Sequence, residues 1–69
     1  MIYTDLNQIL SLNISDSLKS EFKNKYNKRV YFKNGVNCQI GILTGYAFPS
    51  YYIIDNSKYI PITHSLTLV

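Results

Sequence analysis

The sequence predicts an α+β fold in which two N-terminal helices pack on a small five-stranded β-barrel. Three observations carry that expectation. The hydrophobic period is helical as far as Tyr26 and becomes two from Lys28 onward. Asn34-Gly35 stands between two strand-like runs, which is the strongest short hairpin signal. Gly41 and Gly45 interrupt a run of strand formers where a strand curling around a small barrel has to bend.

Taken in order, residues 1–27 form the helical segment and 28–69 the barrel of one domain. Sixty-nine residues leave no room for a second domain or a large catalytic cleft. Met1 to Leu12 reads as a short helix, with Thr4 or Asp5 as its cap and Leu6, Ile9 and Leu10 on one face. Asn13 to Tyr26 reads as a second helix. Asn13 or Ser15 supplies the cap oxygen, and Asp16 sits in the first turn, where negative charge is favoured. Leu18, Phe22 and Tyr26 recur every four residues as a packing stripe, and Asn27 is a stop residue. Five strands follow: Arg29 to Lys33, Asn37 to Tyr46, Tyr51 to Asp55, Lys58 to Ile62 and Leu66 to Val69. Phe48-Pro49-Ser50 and Asp55-Asn56-Ser57 are turns. Pro61 places the fourth of these strands at an edge or a bulge. Thr63-His64-Ser65 is a short 3₁₀ turn.

The run GILTGYAFPSYYIIDNSKYIPITHSLTLV resembles small SH3-like barrels of the KOW and Sm-like size class, and the likeness covers residues 28–69. Barrels of this kind mostly bind RNA, DNA, Pro-rich peptides or protein surfaces, so the resemblance implies binding rather than catalysis. The N-terminal helical pair departs from the pattern. So does the missing acidic loop: Asp55 is the only acid after Glu21, which argues against a Pro-rich ligand.

Net charge is +3, and it is unevenly spread. Lys19, Lys23, Lys25, Lys28, Arg29 and Lys33 fall within fifteen positions, opposed there only by Glu21. Such a segment points to a polyanion or an acidic protein partner. Tyr is the dominant large side chain, with seven copies and no Trp. Tyr46, Tyr51 and Tyr52 lie on or beside the strands. Strand alternation puts Tyr51 and Tyr52 on opposite faces, so at least one of them faces solvent or a helix. Exposed tyrosines among lysines suit stacking on single-stranded bases, and they suit a protein interface equally. The expected partner is therefore nucleic acid; the alternative is a larger protein, or a second copy of the chain docked through strand edges.

Catalytic chemistry finds little foothold. His64 is the sole histidine and reads as a turn residue, and the four acids are scattered. There is no P-loop and no metal-ligand spacing, so no cofactor and no enzymatic activity are expected. Cys38, the only cysteine, allows no intramolecular disulfide and is expected to be a small buried or half-buried residue. No signal peptide and no run of 18 apolar residues is present, which makes a cytoplasmic location the expectation.

Overall fold

The computed structural model describes residues 1–69, apart from the Asn34 side chain. In chain order the elements are β1 (Ile2–Tyr3), α1 (Leu6–Leu10), α2 (Asp16–Lys25), β2 (Arg29–Asn34), β3 (Asn37–Ala47), β4 (Tyr51–Ile54), β5 (Lys58–Pro61) and β6 (Thr67–Leu68). Among the described residues, no helix is long and apolar enough to cross a membrane.

The first helix is shorter than its periodicity predicts. Ile2 and Tyr3 are extended and pair with Ala47 and Tyr46 of β3. Gly45 makes that pairing possible: a Cβ there would lie 2.7 Å from the Tyr3 carbonyl oxygen. The ladder available on β3 outweighs a marginal helical tendency. Only from Leu6 does the chain turn helical, with the Asp5 carboxylate accepting from the Asn7 amide at 3.0 Å. The second helix is capped by Ser15, whose Oγ accepts from the Leu18 amide at 3.2 Å. Asp16 near its start, and Lys23 and Lys25 near its end, complement the helix dipole. It stops where Asn27 turns left-handed at φ 61°, and the Asn27 N–H donates to the Leu43 carbonyl at 2.7 Å. That bond ties the helix end to the middle of β3.

The closed five-stranded barrel is not what forms. The six strands make one open sheet in the order β5-β4-β3-β2-β6, with β1 also paired to β3. The terminal strands β5 and β6 lie at opposite ends of that order and do not bond to each other. The physical reason lies in the C-terminal residues meant to close the barrel. Only Thr67 and Leu68 are extended, and they pair with Tyr31 and Val30 of β2 alone. The intervening residues 62–66 carry the chain away from β5. In place of a closing strand, α2 covers the concave face and sets the Phe22 ring against Tyr46 and Tyr52, with ring centroids 5.1 and 5.5 Å away. Phe22, Val30, Phe32, Leu43, Tyr46 and Ile54 are the centre of the core.

Strand β3 serves two ladders. Asn37 to Ile42 pair with β2, and Leu43 to Ala47 pair with β4. The register slips between Leu43 and Gly45, which leaves Thr44 as the extra residue of a bulge. Thr44 Oγ1 donates to the Ile53 carbonyl at 3.3 Å and accepts from the Asn56 amide at 2.9 Å. Because of the bulge, Leu43 and Tyr46, three positions apart, both enter the core. The neighbouring turn places Asp55 and Asn56 at φ 53° and 61°, residue types that tolerate this region. The Asp55 carboxylate accepts from the Ile42 amide at 3.0 Å. In the β2–β3 hairpin Asn34 pairs with Asn37, so the two-residue loop is Gly35-Val36, with Gly35 at φ 67°. Strand β5, which contains Pro61, is an edge strand.

Candidate binding face and cavity

The structure divides the expected site residues among three places. Tyr46 and Tyr52 are 1% and 4% exposed, so they belong to the core and not to an open surface. Burial pushes the Tyr46 phenol above the usual tyrosine range. Tyr51 is exposed, and its ring meets that of Tyr59 edge-on at 6.2 Å on the opposite side of β4. The six cations do not share one face. Lys19 and Lys23 are carried by α2, the helix that covers the concave side. Lys25 is paired with Glu21 and also donates to the Leu66 carbonyl. Lys28 is exposed at the joint between α2 and β2. Arg29 and Lys33 alternate with the buried Val30 and Phe32, and so point away from α2.

That outer face of β2 and β3 is built by register. Arg29 stands opposite Ile42, Tyr31 opposite Ile40, and Lys33 opposite Cys38. Tyr31, Ile40 and Ile42 are 39%, 53% and 40% exposed. Cys38 is exposed too, contrary to the expectation that it is at least half-buried. The cause is strand parity. Val30 and Phe32 take the core side of β2, so the core side of β3 opposite them falls to Gly41 and Gln39. The apolar set Cys38, Ile40 and Ile42 is left on the solvent side. The Tyr31 hydroxyl donates to Cys38 Sγ at 2.8 Å, and this bond is the main cause that holds the phenol above its ordinary range. Asp55, the one acid in the C-terminal half, sets its carboxylate on the Ile42 amide, beside this face.

The concave feature lies elsewhere. A cavity of about 430 Å³ opens between the start of α2 and the chain between β5 and β6. Ser15, Ser17, Leu18 and Glu21 form one wall; Ile62 through Leu66 form the other, with Tyr52 between them. Burial, with the Glu21 and Tyr46 charges behind it, pushes the Tyr52 phenol up to about 12. A second cavity of about 340 Å³ shares His64 and Ser65 and reaches Tyr31 and Lys33 on β2. The His64 backbone N–H donates to the Pro61 carbonyl at 3.0 Å, which makes the local turn. No group of three His, Cys, Asp or Glu side chains that could hold a metal occurs among the described residues.

Sequence reading put Cys38, Ile40 and Ile42 on one strand face but did not count Ile40 or Ile42 among the site residues, and it missed the cavity. The Arg29-Tyr31-Lys33 alternation was a visible signal for the outer face. Nothing in the sequence links Glu21 with Tyr52 or with His64, because only the docking of α2 brings them together. The chain matches no known family, curated protein or solved structure against which it was compared.

Proposed function

We propose that the protein is a non-catalytic docking module whose outer β2–β3 face takes an acidic, partly apolar segment of a larger protein. The observation that carries this reading is the cluster of Tyr31, Ile40 and Ile42, exposed side by side and flanked by Arg29 and Lys33. Isolated surface hydrophobics need no explanation, but a contiguous set on a sheet face does. Fully burying a side chain of this size contributes roughly 1.5–3 kcal/mol, less here because each is already half covered. The two cations add selectivity and on-rate more than affinity. A second copy of the chain is a poorer occupant, because face-to-face pairing brings four cations together against only the Asp55 carboxylates.

Single-stranded nucleic acid is the second reading, favoured by the cation–aromatic–cation alternation along β2. Against it stand the aliphatic Ile40 and Ile42 and the separation of Lys19 and Lys23 from Arg29 and Lys33. Few phosphate contacts then remain on any one face.

The test is an affinity pull-down from the native host with the wild type and with Ile40→Asp, each with and without nuclease. The docking reading expects a defined protein that survives nuclease and is lost with Ile40→Asp. Recovery of nucleic acid alone supports the second reading and sinks the first.

A further inference from the structure

The cavity between α2 and the chain joining β5 to β6 contains a polar group that the fold itself leaves unused. Tyr52 is almost wholly buried, yet none of the chain's hydrogen bonds among the described residues reaches its hydroxyl. Tyr52 lines the cavity, and its oxygen is not among the buried side-chain atoms left without a partner, so it remains reachable. A ligand that bonds this hydroxyl exchanges its hydrogen bond to water for one inside the cavity, a modest net gain that also fixes the ligand's orientation.

The surrounding groups define the ligand. Glu21 contributes a carboxylate, and Lys25 already pairs with it, so a cationic ligand would compete with a neighbour held on the same helix. An anionic ligand would meet that same carboxylate. Ser17, Thr63 and Ser65 supply hydroxyls that both donate and accept, while Leu18 and Ile62 present apolar surface. The volume lies within the range of small-molecule sites, about 300–1,000 Å³. We propose that this cavity binds a neutral polyhydroxylated ligand, a single saccharide ring, with the Tyr52 hydroxyl and the Glu21 carboxylate as its two fixed polar contacts. The ring's hydroxyls match the mixed donors and acceptors, and its C–H face matches Leu18 and Ile62. The site borders the outer sheet face only where the neighbouring cavity joins His64 and Ser65 to Tyr31 and Lys33, and it does not depend on the docking reading.

The test is amide-resolved NMR on the full ¹⁵N-labelled chain, titrated separately with D-glucose, D-mannose, N-acetyl-D-glucosamine and inorganic phosphate. At least one sugar is expected to shift the Ser17, Thr63 and Ser65 amides saturably, and phosphate is not. Tyr52→Phe removes an oxygen the fold does not use, so it should keep the wild-type melting temperature and weaken the sugar about tenfold. Ser17→Ala, a change on the exposed part of α2, gives an independent comparison in the same direction. The proposal is overturned if no sugar saturates, if phosphate occupies the same residues, or if both variants bind as tightly as the wild type. Shifts at Ile40 and Ile42 without shifts at Ser17 would report the outer face instead and overturn the proposal, which separates this outcome from the test of docking.

Discussion

Replacing Phe22 with Ala tests whether α2 is the element that completes the core. Phe22 is fully buried, and its ring meets two tyrosine rings that themselves lie in the sheet. Truncation of a buried Phe costs about 3–5 kcal/mol. The upper half of that range applies, because two aromatic contacts, each worth about 0.5–1.5 kcal/mol beyond area, go with the ring. At about 0.05–0.15 kcal/mol per residue, a chain of 69 residues holds on the order of 3–10 kcal/mol in all. Phe22→Ala should therefore lose about half or more of the chain's stability, and all of it at the lower end of that range. Phe22→Leu should fold with about 1–2 kcal/mol lost. Urea melts followed by far-ultraviolet and tyrosine near-ultraviolet circular dichroism read both. A loss below about 1 kcal/mol for Phe22→Ala would refute the docking of α2 on Tyr46 and Tyr52.

Three further outcomes follow from the same geometry. Gly35→Val should cost at least about 1 kcal/mol, because a β-branched residue resists φ 67° although the space around the position is open; Gly35→Asn should cost clearly less in the same melt. Gly45→Ala should cost roughly 1–3 kcal/mol by overpacking, and hydrogen exchange should quicken at β1, whose Tyr3 carbonyl stands in the way. The third concerns alkaline pH. Tyr52 deprotonates near 10 when unfolded and near about 12 when folded, so the unfolded state loses its proton first and stability falls as pH rises between those values. Part of the stability, fully present below pH 10, should be gone above pH 12, and Tyr52→Phe should flatten that part of the stability curve.

Local rules made much of the chain legible. The Ser15 cap, offered beside Asn13, the Asn27 stop and the Asp55-Asn56 turn follow from residue types with strong local preferences, while the hairpin forms with Gly35-Val36 as its loop rather than Asn34-Gly35. Five of the strands begin and end near where turn residues and the change of period place them. What escaped is set by distant partners. Ile2 and Tyr3 look helical until Gly45, more than forty positions away, offers an edge that accepts them. The closed barrel was inferred from the bends expected at Gly41 and Gly45 and from the likeness of residues 28–69 to small SH3-like barrels, but closure depends on whether residues 62–69 reach β5, and their own composition does not decide that. The apolar alternation of Cys38, Ile40 and Ile42 showed a shared face without showing which side it takes, because the core side was claimed by Val30 and Phe32. For the same reason the clustering of cations along the sequence did not reveal their division between α2 and the outer face.

The central claim is that the outer β2–β3 face is where a partner protein docks, and Cys38 reports on it directly. It is the only cysteine and is exposed on that face beside Tyr31. The measurement is capture of the nuclease-resistant partner by protein whose Cys38 has first been alkylated with a bulky maleimide, together with the alkylation rate of Cys38 in the purified complex. The account predicts that the alkylated protein captures no partner and that the thiol in the complex reacts at least about tenfold more slowly than in the free chain. Equal capture by the alkylated protein, with Cys38 equally reactive in the complex, would contradict it.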